Sequence, residues 1–285
     1  MSTLQNKIDF AAIVRVKHAN PNGDPLNGNR PRTDYSGYGE ITDVCLKRKV
    51  RDRLLDAGYG IFVQSDDRKK DDAKSLRDRA EKTLGGKFGS ADTARLACQT
   101  WFDVRAFGQL FAMPKKSKSR AKDAAAPSEE GDTGLSIPIR GPVTIQSAFS
   151  IDPVEVTSTQ ITKSVSSDGD GTKRGSDTMG MKHRVDNGIY VFYGSMNPQL
   201  AERTGFSDAD AAALKSILPR IFENDASSAR PEGSMEVLQV FWWKHDSKAG
   251  QYSSAKVHRT LTVKGDGSFS LADLPGLVPE QIPGF

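Results

Sequence analysis

From Ile8 to Val16 every second residue is apolar, so that Ile8, Phe10, Ala12, Val14 and Val16 share one face of "KIDFAAIVRVKHA". A repeat of two fits a pleated strand, whose successive side chains point to opposite faces. It predicts a half-buried strand, and the chain must then supply a sheet around it and a layer to cover it. The same period returns in "KHRVDNGIYVFYGSM", with Ile189, Val191 and Tyr193 on one face and Tyr190 and Phe192 on the other. Further strand patterns run through "IPIRGPVTIQSAFSIDPVEVTSTQITKSV", "SMEVLQVFWWKHD" and "KVHRTLTVKG".

Helical spacing separates these strands. In "GEITDVCLKRKVRDRLLDAG" either Thr42 or Asp43 can cap a helix that exits through Gly58. Ala73, Leu76, Ala80 and Leu84 predict a second, solvated helix. "ADTARLACQTWFDVRAFGQLF" predicts a third with Trp101 and Phe102 near its end, and residues 206–223 a fourth, kinked near Pro219. Such mixing gives an α+β class, read as one domain over residues 1–285. Two segments are too polar to be core. Residues 113–136 run from a basic half to an acidic half and read as a flexible insertion, while residues 155–185 form a long excursion with "DGDGTKRGSD" at a hairpin tip.

Composition excludes several classes. No apolar run approaches the roughly 20 residues that span a bilayer, and the opening "MSTLQNKIDF" is unlike a secretory signal, so no membrane association and a cytoplasmic location are expected. Cys45 and Cys98 are the only cysteines, both in helical stretches, which points to reduced thiols. Nucleophile elbows, phosphate loops and zinc helices are absent from the sequence. "DGDGTK" starts like a calcium loop, but Lys173 stands where glycine is required and Met179 where the closing acid belongs. His18, His183, His245 and His258 are scattered singly. Neither a metal nor another cofactor is expected.

What remains is a pattern suited to a polyanion. "NPNGDPLNGNRPRTD", residues 20–34, has one large apolar residue, Leu26; its backbone N–H groups and the amides of Asn22 and Asn27 can meet phosphate and ribose, with Arg30 and Arg32 adding charge. On the helix that follows, Leu46, Val50 and Leu54 form one stripe and Lys47, Arg48 and Arg51 fall together on a neighbouring face. The excursion carries Lys163, Lys173, Arg174, Lys182, His183 and Arg184, with Met179 and Met181 as flexible apolar side chains able to wedge against bases. Asp24 and Asp34 flank the loop either as turn formers or as magnesium ligands.

"NPNGDPLNGNRPRTD" with "GYGEITDVCLKRKVRD", "VRAFGQLF", "IRGPVTIQSAFSIDPVEVTST" and "TMGMKHRVDNGIYVFYGSMN", in that order, resemble the backbone subunit of type I-C CRISPR Cascade complexes, a member of the RAMP superfamily. The resemblance implies a modified RRM/ferredoxin-like palm with finger-like insertions and a protruding thumb hairpin, here residues 155–185. It implies a non-enzymatic subunit whose copies stack along CRISPR RNA, hold its backbone and leave the bases for target DNA, together with other Cascade subunits. By position, Arg30, Arg32, Lys47, Arg48 and Arg51 match the palm-side grip. "GIYVFYG" is a weak match to an RRM aromatic motif. The alternative is a metal-dependent RNA endonuclease using Asp24 or Asp34, a role that related RAMP subunits of other CRISPR types fill.

Overall fold

β1 (Ile8–Ala19) leads into a small hairpin, β2 (Gly23–Asp24) and β3 (Arg30–Pro31), then β4 (Tyr38–Ile41) and helix α1 (Asp43–Asp56). The computed structural model describes residues 2–113, 135–162 and 179–285. Helices α2 (Leu76–Leu84), α3 (Thr93–Thr100) and α4 (Phe102–Phe107) follow, then β5 (Gly108–Met113) and β6 (Leu135–Arg140). Next come β7 (Val143–Ile145), β8 (Ala148–Pro153), β9 (Val156–Thr162) and β10 (Met179–Met196), and then α5 (Pro198–Thr204) and α6 (Asp208–Ile217). The chain closes with β11 (Met235–Lys244), α7 (Ser254–His258), β12 (Leu261–Val263), β13 (Phe269–Leu271) and β14 (Glu280–Pro283).

An eight-stranded sheet runs β14-β11-β1-β10-β8-β4, with β7 and β9 also pairing β10. β1 lies between β10 and β11, antiparallel to both, with Ile8 opposite Met196 at one end and Ala19 opposite Val185 at the other. The register with β11 slips between Ile13 and Val14, where Leu238 is the extra residue of a bulge.

Ile8, Phe10, Ala12, Val14 and Val16 all enter one core, covered by α1, α4, α5 and α6. The half-buried reading is corrected on the other face. Ala11 and Ile13 are fully buried too, in a second core with Ile189, Val191, Phe241 and Trp243 that α7 and the segment through Leu277 cover. Small alanines at alternate positions disguise burial, because a strand packed on both sides needs a near-continuous apolar run and Ala reads as neutral. Tyr190 and Phe192 are likewise fully buried in the first core, so neither ring can stack on a base.

A third cluster stands apart from the large sheet. Phe62, Ala80, Leu84, Ala97, Cys98, Trp101, Val104 and Phe111 pack together, with Phe62 4.7 Å from Trp101 and 5.2 Å from Phe111 between ring centroids. Burial pushes the Cys98 thiol up to about 11, which keeps it protonated and inert.

The helix expectations need local revision. The segment 91–111 is two helices broken at Trp101, whose φ of −115° and ψ of 125° are extended, and it ends in a strand. Ala73 is buried but precedes the helix that begins at Leu76. Helix 206–223 is α6 followed by a 3-10 turn at Leu218–Arg220, where Pro219 cannot donate. β5 pairs β6 from Gly108 opposite Arg140 to Met113 opposite Leu135. Of the insertion expected at 113–136, Met113, Leu135 and Ser136 belong to this hairpin, and residues 114–134 lie outside the described residues.

Candidate nucleic-acid interface

The polar passage after β1 is a folded unit. Asn22 Oδ1 accepts from the Thr42 backbone N–H at 2.9 Å and from the Thr42 hydroxyl at 2.8 Å, while that hydroxyl accepts from Cys45 N as the N-cap of α1. Arg32 N donates to the Asn22 carbonyl and Glu40 N to the Arg32 carbonyl. Asn22 Oδ1 is therefore committed to joining the loop to the helix start, while among the described residues its Nδ2 meets only the neighbouring Gly23 carbonyl, at 3.4 Å. Asn27 remains exposed, at the end of a 3-10 turn that Asp24 caps by accepting from Leu26 N. Arg30 has no ionic partner among the described residues, and Arg32 lies 3.3 Å from Asp24.

The two loop carboxylates are engaged in turns. Asp34 Oδ1 accepts from Ser36 N and Tyr38 N, each at 2.9 Å, and Asp24 holds both the Leu26 amide and Arg32. Each does what a short acidic side chain does in a turn.

Helix α1 departs most from expectation. Arg51 Nε donates to Asp103 at 3.0 Å with only 14% of its side chain exposed, and its guanidinium lies 5.2 Å from the Phe107 ring centroid. Asp103 is buried and also accepts from Phe62 N and Val63 N at 2.7 and 3.0 Å. Arg51 thus ties α1 to the third cluster and is not a free cation. Lys47 pairs with Asp43 at 2.9 Å, and Arg48, half exposed, reaches Ser65, Asp52 and Asp67. Three cations at helical spacing look like a basic face in sequence; their acids come from the same turn and from residues far along the chain. Lys49, between them, is buried against Asp225, and burial pulls its ammonium below the ordinary lysine range while Asp225 opposes the shift.

The excursion is a two-stranded arm at its root. β10 is one strand of 18 residues: from Val185 onward it pairs β1, and from Met179 to Arg184 it pairs only β9. About six residues at 3.3 Å each extend it roughly 20 Å beyond the end of β1. Because cross-strand partners share a face, Met179, Met181 and His183 stand with Thr162, Gln160 and Ser158, and Lys182 and Arg184 with Thr159 and Thr157 on the other side. Met179 and Met181 are 66% and 56% exposed. His183 Nδ1 is 2.8 Å from the Ser158 hydroxyl. Arg184 Nε donates to Asp186 at 3.0 Å, and His18 from the end of β1 meets the same carboxylate at 3.6 Å. The Thr157 hydroxyl, ahead of Arg184 and His18, holds the Asp186 carboxyl below its ordinary range. Lys182 is exposed and has no ionic partner among the described residues. Lys163, Lys173 and Arg174 lie outside the described residues.

Loop and arm meet at one end of the sheet. The loop starts where Ala19 opposes Val185 at the arm root, and Val154 N donates to the Gly37 carbonyl just before β9 begins. Sequence reading missed the separation of the arm's two faces, although the alternation in "MGMKHR" encodes it, and it missed Tyr35, a bare ring between turn residues in "TDYSGYG".

Comparison with known proteins gives one family. A family model described as CRISPR-associated protein Cas7 matches residues 6–273. A relative from Haloferax volcanii, also described as CRISPR-associated protein Cas7, is 30% identical over 287 residues, covering 98% of this chain and 81% of the relative. Among solved structures, a chain of a CRISPR RNA-guided surveillance complex, pre-nicking, aligns with a TM-score of 0.46 at 14% identity, covering 83% of this chain and 78% of that one. A chain of another CRISPR RNA-guided surveillance complex aligns with a TM-score of 0.44 at 20% identity, covering 92% and 77%.

Proposed function

The chain belongs to the CRISPR-associated protein Cas7 family, and on that premise we propose that it is the non-catalytic, RNA-binding backbone subunit of a Cascade surveillance complex, of type I-C. Copies line up along the CRISPR RNA in the cytoplasm, beside other Cascade subunits, and present its bases to target DNA. The observation that carries this reading is the family match over residues 6–273. The sheet and its covering helices serve as a modified RRM-like palm, and the β9–β10 arm serves as the thumb.

The chemistry of the described surface supports the assignment. A subunit that must hold any guide should contact phosphate and sugar and leave base edges free. Arg30, Arg32 and Asn27 on the loop, Lys47 and Arg48 at the rim of α1, and Lys182, His183 and Arg184 on the arm offer charge and donors without a pocket shaped for one base. Met179 and Met181 offer an apolar wedge on the face of the arm that carries His183, opposite Lys182 and Arg184. Asn22 and Arg51 position this surface from behind.

The test is binding of single-stranded RNA across a salt series. Neutralising one phosphate shifts the slope of log affinity against log salt by about 0.7. Arg30→Ala with Lys182→Ala should flatten it by about 1.4, and the unaltered protein should co-purify with RNA when expressed beside a CRISPR array. Protein that carries no RNA and binds none at low salt overturns the reading.

A further inference from the structure

Tyr35 is the most exposed aromatic side chain among the described residues, at 112% relative exposure against 74% for Phe285, the next. Its backbone is fixed all the same. Asp34 Oδ1 takes the N–H groups of Ser36 and Tyr38, Asp34 N donates to the Tyr38 carbonyl at 2.9 Å, and Gly37 N donates to the Asp34 carbonyl at 3.2 Å. Gly37 has φ of +84°, the left-handed conformation such a turn needs, and its carbonyl accepts from Val154 N at 2.9 Å. A bridge between Thr33 and Gly39 closes the turn below. The ring is thus held out on a rigid mount, joined directly to the strand that leads into the arm.

Among the described residues nothing uses the ring. It pairs with no other aromatic, and its hydroxyl has no hydrogen bond among the described residues. Its neighbours Thr33, Asp34 and Ser36 are exposed and polar, so the described residues next to it in the chain add no apolar surface of the kind that marks a protein-docking face. Arg30 and Arg32 precede it in the same loop. A lone planar ring on a fixed turn, in a loop that also carries cations, is the arrangement with which proteins hold single strands whatever their sequence, since every base has a stacking face.

We propose that Tyr35 is a base-stacking platform, fixing one nucleobase of the bound RNA at the palm end of the arm and so setting the register of the strand on each copy. The proposal rests on the RNA-binding reading above. It assigns Tyr35 a contact distinct from the charge contacts of Arg30 and Lys182 and from the wedge on the arm.

Three substitutions and one altered RNA test it. In fluorescence anisotropy with a single-stranded RNA, Tyr35→Ala should weaken binding roughly 5- to 150-fold, the range for losing one stacked base, with the salt slope unchanged because the ring is neutral. Tyr35→Phe should bind like the parent, and Tyr35→Leu should lose nearly as much as Tyr35→Ala. With an RNA backbone whose bases have been removed, parent and Tyr35→Ala should bind alike. Equal affinity of parent and Tyr35→Ala for intact RNA, full retention by Tyr35→Leu, or a difference that persists on abasic RNA overturns the proposal while leaving RNA binding itself standing. So does a Tyr35→Ala variant that keeps its RNA affinity but loses self-association after nuclease treatment. A parent protein that binds no RNA sinks both readings.

Discussion

Removing the Asp103 carboxylate should unfasten α1 from the third cluster. In Asp103→Ala the N–H groups of Phe62 and Val63 lose acceptors at 2.7 and 3.0 Å, and Arg51, only 14% exposed, loses its counter-charge. An orphaned buried donor costs about 1–3 kcal/mol, and breaking a buried ion pair from one side about 3–5 kcal/mol. Val63 is half-buried and can recover a water, so the sum is set at about 4 kcal/mol. For a chain of this size that lowers Tm by on the order of 10 °C. Arg51→Met keeps volume and leaves Asp103 its two backbone donors, but it strands a carboxylate only 1% exposed, so it should cost about 3 kcal/mol, the low end for breaking a buried pair from one side. The assay is thermal unfolding of both variants, paired with RNA affinity measured well below Tm. Asp103→Ala within 2 °C of the parent would refute the energetic reasoning. Arg51→Met with an unchanged Tm but tenfold weaker, less salt-dependent RNA binding would refute the structural role of Arg51 and restore it to the grip.

The remaining predictions concern the loop and the second core. Asn22→Ala removes the acceptor of Thr42 N and its hydroxyl and should cost about 1–2 kcal/mol, with faster hydrogen exchange at the Arg32 amide; unchanged exchange would contradict the link between loop and helix. Burial, opposed by Asp9 at 3.7 Å, holds the His258 imidazole below its ordinary value. The unfolded chain therefore takes up this proton first as pH falls, and stability should decline below about pH 6.5 by at most about 1.4 kcal/mol per unit, levelling off beneath the folded value. Tm measured from pH 7.5 to 5.5 should show the slope, and His258→Gln should flatten it.

The alternation in β1 and β10 made the strands legible, and the Thr42 cap and Gly58 exit made α1 legible, because these signals are local. Burial of β1 on both faces was hidden by Ala11, whose covering layer comes from residues 257–277. The charge state of α1 was hidden for the same reason: Arg51 finds Asp103, and Lys49 finds Asp225, across long stretches of chain. Composition and helical spacing count such cations as free. The loop was recognisable as an anion-suited element, yet which of its amide oxygens faces inward depends on Thr42, and only the fold shows that Asn22 Oδ1 is taken.

The arm and the centre of the large sheet are the same strand, with no joint between them. Val185 is buried where the arm leaves the sheet, and Tyr190 and Phe192, a few residues on, are anchored in the first core. Met179 to Arg184 therefore cannot swing without twisting a strand that is fully buried at Val185, Tyr190 and Phe192. A projection built this way works as a ruler: the distance from the palm to whatever Met179 and Met181 touch is set by strand rise, and identical copies would mark identical intervals along any polymer they share.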